Sequence, residues 1–463
     1  MSGHPTDQHS TPGATTGRIS VSDLQEAVQN KAITTVRACV PDMIGRLKGK
    51  QLSASGFLDR IKAHPDEPDA APTVSEACAY ILATDAKMTP LGSFELTGWD
   101  SGFQDLTMAA DLGTLRVLPH LPGVAMVHCD AVHPNGTHLE IAPRRILHAQ
   151  LAQLAELGFD VRVGVESEFV LCKGQQPVVT QNLDYALDYP PALNDFLRDL
   201  ALALPAAGVP IEAIKTEGAP GQVEITFPYG PAPEACDNYT VYKQTVRHVA
   251  KQQGLTATFM SAPFTGVGSG LHLHLSLWHN DQPAFAVVGS NEMPAVMQHS
   301  IAGLIAGLPD LAPLYAPTPN SYKRYAAAHS FAPQYMNWGK DNRGCAVRVT
   351  GHGNGAHLEN RLPGADANPY LAVAATLAAI NRGLSEKLTP PKACSGDAYA
   401  DRESHRVPAD LQEASRSFAT SNFAKSALGA AVVRHYATAA HVEINEHLRQ
   451  VTDVERERGF DPG

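Results

Sequence analysis

The chain has 463 residues, 44% of them hydrophobic and 18% charged, which is enough for a sizeable interior and for two or three domains, one of them large. A charged fraction below the roughly 25% of ordinary soluble proteins points to extensive burial, within a subunit or between subunits. Against 47 Asp and Glu stand 36 Lys and Arg, a net charge of -11 with no basic run, so nucleic acid and anionic membranes are not expected partners.

The seven cysteines (Cys39, Cys78, Cys129, Cys172, Cys236, Cys345 and Cys394) are scattered and never spaced C-x-x-C. Neither a disulfide framework nor a zinc site is indicated, and a reducing cytoplasm is the expected location. No apolar run approaches the ~18 residues of a membrane span, and the N-terminus lacks a charged-then-apolar signal pattern.

Residues 1–17 are rich in Ser, Thr, Pro, Gly and His and read as a disordered tail. SVSDLQEAVQNKA then predicts a helix capped by Ser20 or Ser22. TTVRACVPDMIGRLKGKQL predicts two strands around a turn near Asp42 to Gly45, and SASGFLDRIKA a second helix. Shorter segments follow, including the turn-rich LTGWDSGFQD. Together these make a small α+β domain over 18–133. A second domain, 134–463, opens near Pro134-Asn135-Gly136. Pro143 suits the first position of a helix whose stripe is Ile146, Leu147, Leu151 and Leu154, and Gly158 stops it. FDVRVGVESEFVLC alternates as a strand, with Glu166 and Glu168 on one face. IKTEGAPGQVEITF places Glu217 and Glu224 either side of a Pro-Gly turn. YTVYKQTVRHVAKQQG predicts a helix ending at Gly254, and LTATFM a strand. GVGSGLHLHLSLW is a glycine-rich loop entering a strand with Leu271, Leu273, Leu275 and Leu277 on one face and His272, His274 and Ser276 on the other. In GAHLENRLPGADANPYLAVAA, His357, Glu359 and Arg361 alternate before an alanine-rich helix, and the pattern from there to the end is helical.

Four strands thus offer polar faces. A solvated face explains any one of them; their recurrence points to a shared site. Side chains at i and i+2 on a strand stand about 6.5–7 Å apart, which suits two neighbouring ions better than one. Several carboxylates with one imidazole form a hard, oxygen-dominated donor set that favours Mg²⁺ or Mn²⁺ over Zn²⁺. Two such ions beside arginines meet the needs of phosphoryl transfer from ATP.

The motifs GVESEF, EGAPGQVEI, GSGLHLHLSL, NSYKR, DNR and HLENRLPGADANPYL resemble, in order and spacing, the signatures of the glutamine synthetase family, from about Ile19 to the C-terminus. The resemblance implies an α+β fold: an N-terminal β-grasp domain and a catalytic domain with a curved antiparallel sheet and helices. It also implies a homo-oligomer of stacked hexameric rings, usually a dodecamer, with each site between neighbouring subunits. It assigns Glu168, Glu217 and Glu224 to one metal and Glu166, His272 and Glu359 to the other. His274, Ser276 and Arg348 match nucleotide-side positions. Arg324 and Arg361 match residues that hold glutamate and the transferred phosphoryl group, Arg343 a phosphate contact, and Gly268 and His272 the substrate side. The implied chemistry phosphorylates the γ-carboxylate of glutamate with ATP, and a nitrogen nucleophile then displaces phosphate.

Two positions depart from the ammonium-using members. Val267-Gly268 stands where they carry Asn-Gly, which removes an amide that contacts glutamate. Ser330, in HSFAP, stands where they carry a flap glutamate that helps bind and deprotonate ammonium. A small hydroxyl next to Phe331 leaves room for a bulkier amine. SFAP followed by WGKDNR, with PDMIGRLKGK, resembles the branch that glutamylates organic amines: γ-glutamylpolyamine, γ-glutamylethanolamide and γ-glutamylmethylamide synthetases. Asp100, beside Trp99, stands where the family brings an ammonium-site aspartate from a neighbouring N-terminal domain; a plain surface turn is the other reading. DAYADRE around Tyr399 does not reproduce the adenylylation context, so that control is not expected. The expected function is therefore an ATP- and Mg²⁺-dependent (or Mn²⁺-dependent) glutamate-amine ligase that brings an amine into catabolism or detoxification. A true glutamine synthetase and a catalytically silent relative are the alternatives.

Overall fold

The computed structural model describes residues 17–63, 71–287, 292–327 and 329–460; the expected tail lies outside them, apart from Gly17. In the first part, helix α1 (Val21–Gln29) starts at Ser20, whose hydroxyl and Asp23 form a reciprocal capping box. Strands β1 (Thr35–Pro41) and β2 (Leu47–Ser53) form the expected hairpin, and α2 (Ala54–Lys62) follows with Ser53 as its cap. Strands β3 (Thr73–Cys78), β4 (Asp105–Ala110), β5 (Arg116–Val117) and β6 (Val124–Val132) complete a sheet of order β2-β1-β6-β4-β3. The central pair β1 and β6 is parallel, while β1–β2 and β3–β4 are antiparallel. This mixed sheet, with a helix crossing between hairpin and return strands, is the β-grasp arrangement expected. Alternation sends Val36, Ala38 and Val40 to a core with Leu24 and Phe57, and Cys39 to the larger second core.

Helix α3 (Pro143–Glu156) carries Pro143 in its first turn, and Gly158 at φ +84 ends it. The second sheet begins at β7 (Asp160–Lys173), followed by β8 (Gln176–Pro177), helix α4 (Pro191–Ala206), β9 (Ala213–Thr216), β10 (Gln222–Thr226) and β11 (Gly230–Pro231). Helix α5 (Ala232–Gln252) opens at Ala232, ahead of the Tyr239 at which the sequence pattern placed it, because Pro233 serves its first turn. Then come the three-residue β12 (Thr256–Thr258), β13 (Leu271–His279), β14 (Gln282–Pro283), α6 (Ala295–Leu311), β15 (Trp338–Lys340), β16 (Val347–Thr350), β17 (His357–Asn360) and α7 (Pro369–Ser385). Residues beyond α7 are not continuously helical as expected: an irregular segment with one short 3₁₀ turn precedes α8 (Leu411–Thr420), α9 (Asn422–Leu428), α10 (Ala430–Leu448) and α11 (Asp453–Gly459). Pro390 and Pro391 lie a few residues past the end of α7, where the chain is irregular.

The second sheet runs β15-β16-β17-β13-β7-β10-β9. Its inner face rests on the large core through Val163, Val165, Leu271, Leu273, Leu275, Leu358 and the buried helix α7. That leaves the opposite face of β7, β10, β13 and β17 to carry the polar side chains. The two parts are joined by a buried ion cluster: Arg144, 2% exposed, bonds Asp237 at 2.9 and 3.1 Å, Asp130 at 2.6 Å and Asp111 at 2.8 Å. Among the described residues no helix is long and apolar enough to cross a membrane.

Candidate active site

The register of the second sheet aligns the charged side chains in a row. Lys215 lies opposite Glu224 and Glu224 opposite Glu168; Glu166 lies opposite His272; Glu359 lies opposite both His274 and Arg348. Directly opposed residues are close enough for their side chains to interact, so the row gathers into contiguous clusters. Three sets bring ligand atoms within 4.8 Å of one another: Glu168 with Glu217 and Glu224; Glu166 with His274 and Glu359; and Glu166 with Glu168 and His272. His272 Nδ1 stands 2.6 Å from Glu166 and 3.6 Å from Glu359, while His274 Nε2 is 3.4 Å from Glu166. Glu166 and Glu168 thus also come together, closer than the strand repeat alone implied.

The glycine-rich loop folds over the start of β13. Gly270 donates its backbone N–H to Glu168 at 2.9 Å. A β-carbon there would come within 2.7 Å of His272 Nε2 and 2.8 Å of Arg324 Nη2, so any larger residue would have to displace these two site side chains. Gln222 bridges Glu168 (2.9 Å) and the Gly268 carbonyl (2.8 Å), which ties the loop to the carboxylates. Arg324 donates to the Leu362 and Arg361 carbonyls at 3.0 and 3.2 Å. Arg361 pairs with Glu359 and reaches the Phe331 carbonyl at 3.3 Å. Arg348 bonds Glu359 at 3.0 Å and pairs with Asp341.

Electrostatics divide the carboxylates. Burial, the Glu166 charge and its contact with Glu217 push Glu224 up to about 10. Burial also raises Glu168. Burial opposes ionisation of Glu359 as well, yet Arg361 with His272 and His274 hold it down to about 2. Against the same burial, His272 and then His274 hold Glu166 well below the usual carboxylate range. In the Glu217–Glu224 pair a cation is already present: Lys215 contacts Glu217 and lies 3.3 Å from Glu224. An ammonium held between carboxylates is a stand-in for a metal ion, and this hard donor set fits Mg²⁺ or Mn²⁺.

Two cavities meet at Glu166. One, of about 340 Å³, is lined by the carboxylates, Lys215, Gly268, Val267, Ser330, Phe331, Arg343, Arg348 and Arg361, with Asp184 and Tyr185 at its wall. The other, of about 310 Å³, is lined by His274, Ser276, Tyr229, Trp278 and His357. In it the Tyr229 and Trp278 rings stack at 6.4 Å, an apolar slot of the kind a planar heterocycle fills. Ser330 is half-buried and donates to the Ala327 carbonyl, and Phe331, 66% exposed, sits at φ +59 beside His329 at φ +58. Such backbone is uncommon for non-glycine residues and marks a held, strained loop. Asp100 stands apart from both cavities, exposed in the turn beside Trp99.

Lys215, Gln222, Asp184, Tyr185 and His357 were not singled out as site residues from the sequence. Lys215 and Gln222 each sit two positions from a glutamate on the same strand face, and that alternation was the available signal. Asp184 and Tyr185 lie in a loop without a pattern to read.

Residues 140–459 match the family model of the glutamine synthetase catalytic domain. The gamma-glutamylethanolamide synthetase of Streptomyces coelicolor is 39% identical over 455 residues, 96% of each chain. A glutamate–isopropylamine ligase from a Pseudomonas species is 31% identical over 458 residues, 95% of this chain and 97% of that one. A solved structure described as a GmaS/ADP complex superimposes with a TM-score of 0.82 at 28% identity, covering 95% of this chain and all of that one. The row of carboxylates, the loop that covers it and these likenesses together place the chain in the glutamine synthetase family.

Proposed function

We propose that the protein is an ATP-dependent ligase that joins the γ-carboxylate of glutamate to a primary amine other than ammonium, giving a γ-glutamylamide. The observation that carries the reading is the acceptor end of the acidic cavity. Ser330 and Phe331 line it where an ammonium-binding carboxylate is expected in a glutamine synthetase, and the full-length relatives above are named for organic amines.

The family uses ATP and a divalent metal. Glu168, Glu217 and Glu224 would hold one ion, and Glu166 and Glu359 with His272 or His274 another; bound there, the ions would neutralise phosphate charge. The Tyr229–Trp278 slot would take the adenine, with His274, Ser276 and Arg348 toward the phosphates. Arg324 and Arg361 would orient glutamate beside Gly268, so that a γ-carboxylate oxygen attacks the terminal phosphorus and ADP leaves. Arg343, exposed at the cavity wall, would offset charge on the moving phosphoryl group. The neutral amine then attacks the carbonyl carbon of γ-glutamyl phosphate, phosphate departs, and the amine's proton passes to solvent or a nearby carboxylate. The flap around Phe331 would shield that acyl phosphate from water. Asp100 would reach such a site only from a neighbouring subunit of a ring, which fits a homododecamer of stacked hexamers. A role in amine catabolism in the cytoplasm follows from the same reading.

The test is the ratio of kcat/KM for a panel of amines (ethanolamine, isopropylamine, methylamine, putrescine) to that for ammonium, at saturating glutamate and ATP, with the amide identified by mass spectrometry. A higher value for ammonium than for every amine rejects the reading in favour of glutamine synthesis; no turnover with any acceptor favours a silent relative.

A further inference from the structure

Away from both cavities, the junction between the first sheet and α5 buries three nitrogen atoms that have no hydrogen-bond partner among the described residues: Arg37 Nε, His120 Nδ1 and His248 Nε2. Arg37 lies on β1, on the same face as Cys39, which packs into the second core. His120 lies in the turn after β5 that the Leu121 N–H closes onto the Leu118 carbonyl at 2.8 Å. His248 projects from the C-terminal part of α5. The two imidazoles face each other with centroids 4.7 Å apart and planes at 44°.

This environment is one-sided in charge. Burial first, and then His248 and Arg37, push the pKa of His120 down to about 4, and among the described residues no carboxylate acts on it. Buried polar atoms are normally paired, and a group of three orphans in one place calls for a missing partner. Water can satisfy a lone nitrogen, but it brings no charge to balance a guanidinium. A metal ion on the two imidazoles would be repelled by Arg37. An oxyanion answers all three: it offers several acceptor oxygens, its charge complements the guanidinium, and charge-assisted bonds to it are strong. A neutral imidazole donates from whichever nitrogen carries its proton, so neither ring has to be charged.

We propose that Arg37, His120 and His248 form a binding site for a small oxyanion, a phosphate or a carboxylate, where the N-terminal sheet meets helix α5. None of the three lines either cavity described above, so the site is separate from the proposed chemistry. An anion there ties β1, the turn after β5 and α5 together, and so stabilises the junction of the two parts.

Two measurements on the full-length protein test this. Crystals soaked in tungstate should show an anomalous peak between the three side chains; its absence overturns the proposal. Thermal unfolding of the unmodified protein, Arg37→Gln and His248→Gln is followed with inorganic phosphate and, in parallel, succinate. The catalytic cavity is intact in all three proteins, so any phosphate it binds contributes equally. A rise in Tm with either anion that drops by about half or more in the variants supports the site and names the anion class. Equal rises in all three proteins overturn it. Where a variant does not fold, the tungstate soak of the unmodified protein decides.

Discussion

Binding of Mg²⁺ to the Glu168, Glu217 and Glu224 cluster should release a proton. Glu224 is 6% exposed, and burial, the Glu166 charge and Glu217 push its carboxyl up to about 10. At neutral pH the Glu217–Glu224 pair therefore carries one proton in the metal-free chain. A divalent ion takes the ionised carboxylate. The sign follows: below the raised pKa the proton competes with the metal, so affinity rises with pH. At 1.36 kcal/mol per pH unit, the proton opposes binding by roughly 3 kcal/mol near pH 7.5, and Kd should tighten about tenfold per pH unit from about pH 6.5 to 9. Lys215 is displaced from the same pair but keeps its charge, so it adds no proton to the count. Titration calorimetry in Tris and in HEPES, whose ionisation enthalpies differ, measures the release directly. Glu224→Gln keeps the shape of the side chain and has no proton to lose, so it should bind more weakly and release less. A Kd independent of pH, with no proton released by the unmodified protein, refutes the reasoning.

Replacing Arg144 by Met should cost ~3–5 kcal/mol, since Asp237 is left buried without a counter-charge; an unchanged urea midpoint would contradict this. His435 is buried against Phe94 and Leu82, and burial lowers its pKa to about 4 from an ordinary 6.5. The unfolded chain takes up that proton first, so its contribution is complete above pH 6.5 and is lost as pH falls towards 4, up to ~3 kcal/mol. Urea titrations at pH 7 and pH 5 should show a shallower acid loss in His435→Phe than in the unmodified protein. Ser330→Glu should place a carboxylate at the acceptor end and shift the ratio of ammonium to alkylamine kcat/KM by about tenfold or more towards ammonium, a change of ~1.4 kcal/mol; an unmoved ratio would remove Ser330 from the account of selectivity.

The sheet that carries the polar row was legible from alternation alone, because one face of β7 and β13 is apolar but for Ser167 and the other carries Glu166, Glu168, His272 and His274. The hairpin β1–β2, the cap at Ser20 and the limits of α3 were legible for similar local reasons. Cross-strand register was not. It depends on which strands pair, and it is register that sets His274 opposite Glu359 and Lys215 opposite Glu224. The early start of α5 depends on Pro231 and Pro233, at its cap and in its first turn, upstream of the apolar pattern that begins at Tyr239. The buried Arg144–Asp237 pair joins residues far apart in sequence and gives no local signal. The loop holding Asp184 and Tyr185 has neither period nor motif, so its place at the cavity wall followed only from the fold.

The central claim, that ATP activates the γ-carboxylate of glutamate for attack by an amine, is tested most directly with glutamate labelled with ¹⁸O in that carboxylate. In the presence of ATP, Mg²⁺ and the best amine acceptor, the inorganic phosphate produced should carry one ¹⁸O per turnover, and the γ-glutamylamide should retain the other. Phosphate free of label, with ADP still released, would show that the carboxylate is not phosphorylated and would contradict the account.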